Sequence, residues 1–158
     1  MIYTHVTLHY NPAFFEFESL RSQPSVVGSR LMKSILVIDD DPLVASLMQR
    51  MLQADDWNIR LAQDGRNAIE QISQQIPDLI ITDIVMPDME GLEIIAGLKK
   101  THPQIRIIAV SGSGRGQAVD YLAYAEKLGA FATLTKPFRR DELLQLVRRA
   151  FDSLETDG

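Results

Sequence analysis

Asp39, Asp40 and Asp41 stand side by side directly after the apolar run Ile35-Leu36-Val37-Ile38. Adjacent carboxylates repel one another: at about 4 Å and an effective dielectric near 20, one like-charge pair costs about 4 kcal/mol. Something should offset that charge. Asp41 has a structural role to hand, because Pro42 suits the first position of a helix and Asp is among the best N-cap residues before it. Asp39 and Asp40 have no such role, and a cation is the simplest explanation for them. An all-oxygen site without His or Cys suits a hard cation such as Mg²⁺, which binds through one or two carboxylates, waters and often a phosphate. A further acid, Asp83, closes the apolar run Leu79-Ile80-Ile81-Thr82, and Ser111-Gly112 and Lys136-Pro137-Phe138 follow two more such runs. A hydroxyl, a backbone N–H and an ammonium are the groups that grip a phosphoryl group. Phosphoryl chemistry is therefore expected, provided that these segments meet.

The elements between them make that meeting possible. Apolar runs of strand length occur at 34–38, 58–62, 79–82, 105–110 and 132–135, and each precedes a stretch with apolar residues at helical spacing. In the first such stretch these are Leu43, Val44, Leu47, Met48, Met51 and Leu52; in the last, Leu143, Leu144, Leu146, Val147, Ala150, Phe151 and Leu154. Five βα units result. The nearly continuous apolar strands Ile35–Ile38 and Ile105–Val110 imply a parallel sheet covered on both faces. Right-handed crossovers make it an open, doubly wound α/β sheet, with any ligand site at the carboxyl ends of the strands. The acids, Ser111 and Lys136 all stand at those ends.

With 158 residues and 46% hydrophobic content, the chain suits one domain with a substantial core. Its 16 basic and 21 acidic residues, a formal charge of −5, argue against a general nucleic-acid or anionic-membrane binder. The absence of cysteine excludes disulfides and thiolate metal sites. No run approaches the roughly 18 apolar residues of a spanning helix, and the opening segment lacks the pattern of a secretory signal. A cytoplasmic protein is expected. Residues 1–31 depart from the βα pattern, and Met32 reads as a second beginning; the first segment reads as a flexible N-terminal extension or a mis-assigned start, ahead of a domain spanning 32–158. His5 and His9 sit four apart, as helical metal ligands would, but no third ligand lies near them in sequence.

The order of Asp39-Asp40, Asp83 with Met86-Pro87-Asp88-Met89-Glu90-Gly91, Ser111-Gly112 and Lys136-Pro137-Phe138 closely resembles the receiver domain of two-component response regulators. The resemblance spans roughly residues 33–154. It implies a flavodoxin-like (βα)5 sheet of strand order 2-1-3-4-5. It further implies that Asp83 is the phosphoacceptor, attacking a phosphohistidine donor to become an acyl phosphate. Asp40, Asp83 and the backbone carbonyl of Val85 would hold Mg²⁺, with Asp39 acting mainly through water. Lys136 would pair with phosphoryl oxygens, and Ser111 would bond one of them. Such a protein is a signalling phosphoacceptor and not an enzyme acting on other substrates. Its partners would be a histidine kinase or histidine phosphotransfer protein and a downstream target that docks on the fourth helix, fifth strand and fifth helix. Because the chain ends soon after the last helical stretch, a stand-alone regulator working through other proteins is expected.

Two rival readings are weaker. Asp39-x-Asp41 also resembles the nucleophile motif of haloacid-dehalogenase-like phosphatases, but the acidic pair those enzymes need after their lysine is missing: Pro137-Phe138-Arg139-Arg140 follows Lys136. An adaptor that keeps the fold and never uses the site is the other alternative. Gly112-Ser113-Gly114-Arg115-Gly116 lacks both G-x-G-x-x-G spacing and G-K-[ST], so it reads as a loop and not a nucleotide cradle. The 25 positions from Ser111 to Lys136 exceed the usual receiver spacing, which predicts an unusual surface at Tyr121, Leu122, Tyr124 and Leu128. Thr133 stands where many receivers carry an aromatic residue that swings inward. Phe131, two residues earlier, is expected on the same strand face.

Overall fold

The computed structural model describes residues 32–53, 56–86, 91–112 and 118–156. The readings of residues 1–31, of Pro87-Asp88-Met89-Glu90 and of Ser113-Gly114-Arg115-Gly116 lie outside them.

Strand and helix alternate five times: β1 (Ser34–Ile38), α1 (Pro42–Leu52), β2 (Asn58–Ala62), α2 (Gly65–Gln74), β3 (Leu79–Asp83), α3 (Gly91–Thr101), β4 (Arg106–Gly112), α4 (Ala118–Lys127), β5 (Ala132–Lys136) and α5 (Arg140–Thr156). All strand pairs are parallel and the sheet order is β2-β1-β3-β4-β5. This is the flavodoxin-like doubly wound sheet. Among the described residues, no helix is long and apolar enough to cross a membrane.

Alternation along the strands sorts the core into two layers. Leu36, Ile38, Ile80, Ile107 and Ala109 pack with α2, α3 and α4, while Ile35, Val37, Ile81, Ile108 and Val110 pack with α1 and α5. Because β1 and β3 are covered on both faces, every residue in them is buried. Three strands run past their apolar segments: Asp83, Ser111-Gly112 and Lys136 all belong to the ladder. Backbone pairing is indifferent to side-chain polarity, so the sheet continues into the polar residues. At its other end β4 starts one residue later than the apolar run, because the Ile105 N–H turns back to the His102 carbonyl at 3.1 Å.

Helix α1 is narrower in its burial than its apolar pattern predicts. Ala45, Met48 and Leu52 are buried, whereas Leu43 and Leu47 are 80% and 52% exposed. Residues at i, i+3 and i+7 share the inward face of a 3.6-residue helix, and positions 43 and 47 fall outside it. In α5, Leu143, Leu144, Val147, Ala150 and Phe151 are buried as predicted, and Leu146 and Leu154 pack at the edge.

The predicted helix cap is formed. Asp41 has extended backbone (φ −88°, ψ 108°), and its Oδ1 accepts from the Leu43 N–H at 2.9 Å and the Val44 N–H at 3.4 Å. Pro42 opens the helix, as its fixed φ and missing N–H allow.

Candidate functional site

Parallel register brings the polar strand ends to one edge of the sheet. Ile38 is level with Thr82, so Asp39 emerges beside Asp83; Asp83 is level with Val110, which puts Ser111 one residue beyond; Gly112 is level with Lys136. Asp39 is fully buried and Asp83 is 8% exposed, Ser111 is buried, and Asp40 opens to solvent.

A buried carboxylate needs partners, and Asp39 has two. Its Oδ1 accepts from the Asp41 N–H at 2.9 Å and its Oδ2 from the Lys136 ammonium at 2.7 Å. Lys136 also stands 3.7 Å from Asp83 Oδ1, which accepts from the Ile84 N–H at 3.0 Å. Among the described residues, every recorded contact of Asp83 falls on Oδ1.

Charge at this edge is unbalanced. One oxygen from each of Asp39, Asp40 and Asp83 can be chosen so that all lie within 4.8 Å of one another, and among the described residues the ammonium of Lys136 is the one cation paired with them. Burial pushes the Asp83 carboxyl from its usual 3.8 up to about 6; Asp39 and Asp40 add to the rise, while Lys136 and the Ile84 N–H oppose it. The donor set is all oxygen and carries surplus negative charge, which fits a hard divalent cation. The four predicted side chains Asp39, Asp40, Asp83 and Lys136 are thus brought together, with Ser111 on the adjoining strand. Val85 follows the site on a 57% exposed position.

Comparison with known proteins agrees with this geometry. The family model for the response regulator receiver domain matches residues 35–148. The chain belongs to the response regulator receiver domain family. Among similar proteins, the receiver is 31% identical over 122 residues to the nitrogen assimilation regulatory protein NtrX of Azorhizobium caulinodans, covering 76% of this chain and 26% of NtrX. It is 30% identical over 115 residues to the probable transcriptional regulatory protein TcrX of Mycobacterium tuberculosis, covering 73% of this chain and 48% of TcrX. The chain thus spans about a quarter and about half of these two curated relatives. A response regulator receiver domain protein from Clostridium thermocellum superposes with a TM-score of 0.74 at 26% identity, over 80% of this chain and all of that one.

Two features of this receiver depart from the sequence expectations. Phe131 does not share a face with Thr133. It precedes β5 and packs in the α1 and α5 layer, with the Arg106 guanidinium 5.8 Å from its ring centre. Thr133 is level with Ala109 of the other layer, and its hydroxyl donates to Glu126 of α4 at 2.9 Å. Strand alternation holds only inside a strand, and Phe131 lies just before this one. On α4, Tyr121 and Leu122 pack inward against the core, as does Leu128 just after the helix, and Tyr124 is 40% exposed.

Sequence reasoning passed over one contact at the site and saw another only as part of a motif. The buried Thr82 hydroxyl donates to the Asp83 carbonyl at 2.9 Å, and the Gly91 N–H donates to the Ile84 carbonyl at 2.9 Å. A threonine closing an apolar strand carries no sequence signal. Gly91 does carry one, as the last residue of the stretch that follows Asp83.

Proposed function

We propose that this receiver accepts a phosphoryl group on Asp83 from a phosphohistidine donor in a Mg²⁺-dependent reaction. The reading is carried by the meeting of Asp39, Asp40 and Asp83 with Lys136, the ammonium lying 2.7 Å from Asp39 and 3.7 Å from Asp83. Oδ2 of Asp83 attacks phosphorus as the bond from phosphorus to the donor's imidazole nitrogen breaks. The bonding pair leaves with the imidazole, and the product is an acyl phosphate. Lys136 neutralises charge on the phosphoryl oxygens, and Ser111 offers its hydroxyl to one of them. Asp40, Asp83 and the Val85 carbonyl would hold Mg²⁺, with Asp39 acting mainly through water. When bound, the ion neutralises charge on the carboxylates and on the transferring group.

The protein promotes only its own phosphorylation and dephosphorylation, and turns over no other substrate. Its donor is a histidine kinase or histidine phosphotransfer protein in the cytoplasm. Its output passes through a protein partner that distinguishes the two states on the face made by α4, β5 and α5, since phosphorylation can only bias an equilibrium between states.

Incubation with acetyl phosphate and Mg²⁺, followed by intact mass spectrometry, tests the proposal. Wild type should gain one phosphoryl group and Asp83→Asn none. Equal labelling of both refutes the assignment of Asp83. No labelling of wild type favours the adaptor reading.

A further inference from the structure

We propose that Gly91 is a positioning residue for the phosphoacceptor: the first residue of α3 fixes the Asp83–Ile84 peptide by an approach that only a glycine permits. The inference rests on the reading of Asp83 given above. A Cβ built on Gly91 would lie 2.0 Å from the Asp83 carbonyl oxygen, 2.9 Å from the Ile84 Cα and 3.0 Å from the Asp83 carbonyl carbon. All three are backbone atoms, so no rotamer change relieves the contact.

The same peptide is held on two other sides: the Thr82 hydroxyl donates to the Asp83 oxygen at 2.9 Å and the Ile84 N–H donates to the Val110 carbonyl at 2.9 Å. Gly91 itself secures the next peptide, its N–H donating to the Ile84 carbonyl at 2.9 Å. The Ile84 N–H also reaches the Asp83 carboxylate at 3.0 Å. Backbone position and carboxylate position are thus coupled through one amide.

Real Cβ atoms essentially never come within 3.0 Å of such neighbours. Any side chain at position 91 must therefore drive α3 and the Asp83 carbonyl apart by about 1 Å, and a misplacement of that size can cost roughly a hundredfold in rate. The displaced segment runs directly into Val85, so the metal-binding oxygens assigned above shift with the nucleophile.

Gly129 supplies a matched control. It has φ 103° and lies before β5, at the opposite end of the sheet from the site, and the nearest atoms a Cβ there would meet are those of the Lys99 stem, 3.3 Å away at the closest. Gly129→Ala is strained without touching Asp83.

The experiment compares full-length wild type, Gly91→Ala, Gly129→Ala and Thr82→Val. Labelling by acetyl phosphate is followed across a Mg²⁺ titration, well below each variant's melting temperature. Gly91→Ala should be labelled about tenfold to a hundredfold more slowly, with a higher Mg²⁺ concentration at half-maximal rate. Gly129→Ala should melt earlier and be labelled at the wild-type rate. Thr82→Val, which frees the Asp83 carbonyl without adding bulk, should slow labelling severalfold. A folded Gly91→Ala with the wild-type rate and Mg²⁺ dependence overturns the inference. If Gly91→Ala does not fold, Thr82→Val decides, and an unchanged rate overturns it. Failure of wild type itself to be labelled would instead refute the assignment of Asp83.

Discussion

Asp83→Asn should make the metal-free protein more stable near neutral pH, and the gain should vanish in acid. Burial holds the Asp83 carboxyl at about 6 in the folded chain against 3.8 in its ordinary state. A rise of that size corresponds to about 3 kcal/mol between the protonated and ionised forms. Below about pH 3 both folded and unfolded chains carry the proton, and the group costs nothing. As pH rises toward 6 the unfolded chain releases its proton while the folded chain retains it. Stability falls through that window by the full amount and stays lowered above it. Asparagine does not ionise, its Oδ1 can still accept from the Ile84 N–H, and Lys136 keeps Asp39 at 2.7 Å. The stability difference between variant and wild type should therefore grow from near zero at about pH 3 to about 3 kcal/mol above about pH 7, with a melting difference on the order of 10 °C. Urea unfolding in a chelator across this range measures it. Added Mg²⁺ should shrink the gap, because a cation that binds the folded wild type stabilises it by mass action. A difference that is the same at both ends of the pH range would refute the reasoning, as would a less stable Asp83→Asn at neutral pH.

Asp40→Ala should stay folded, since Asp40 is exposed and makes no recorded hydrogen bond among the described residues, yet lose Mg²⁺-dependent labelling by acetyl phosphate; retained labelling removes Asp40 from the metal site. Val85→Asn should shorten the lifetime of the phosphorylated protein, because an amide on this 57% exposed position can orient a water that valine cannot; phosphate loss followed in Mg²⁺ buffer is the measure, and an unchanged decay refutes it. A chain beginning at Met32 should match the full chain in melting temperature and labelling, since five βα units are complete without residues 1–31. A loss of several degrees, roughly 1–2 kcal/mol for a domain this size, would show that the segment packs on the core.

The sequence by itself determined what is local or periodic. Apolar runs located β1 and β2 to the residue, helical spacing located α5 and its buried face, and Asp41 before Pro42 announced the N-cap, because a cap joins atoms only two or three positions apart. Acids, a serine and a lysine at successive strand ends pointed to one edge of a parallel sheet, since that topology sends every strand end the same way. The tertiary structure alone decided the rest. The partnership of Lys136 with Asp39 spans 97 positions and follows from the β1–β3, β3–β4 and β4–β5 registers together. The raised Asp83 carboxyl depends on how much protein surrounds it, which composition does not record. Leu43 and Leu47 look like core in an apolar pattern, but the neighbouring elements leave them outside. The approach of Gly91 to the Asp83 carbonyl brings the start of α3 against the end of β3, which no local pattern records. Periodicity reveals which way a residue faces along its own element; packing between elements decides what it meets there.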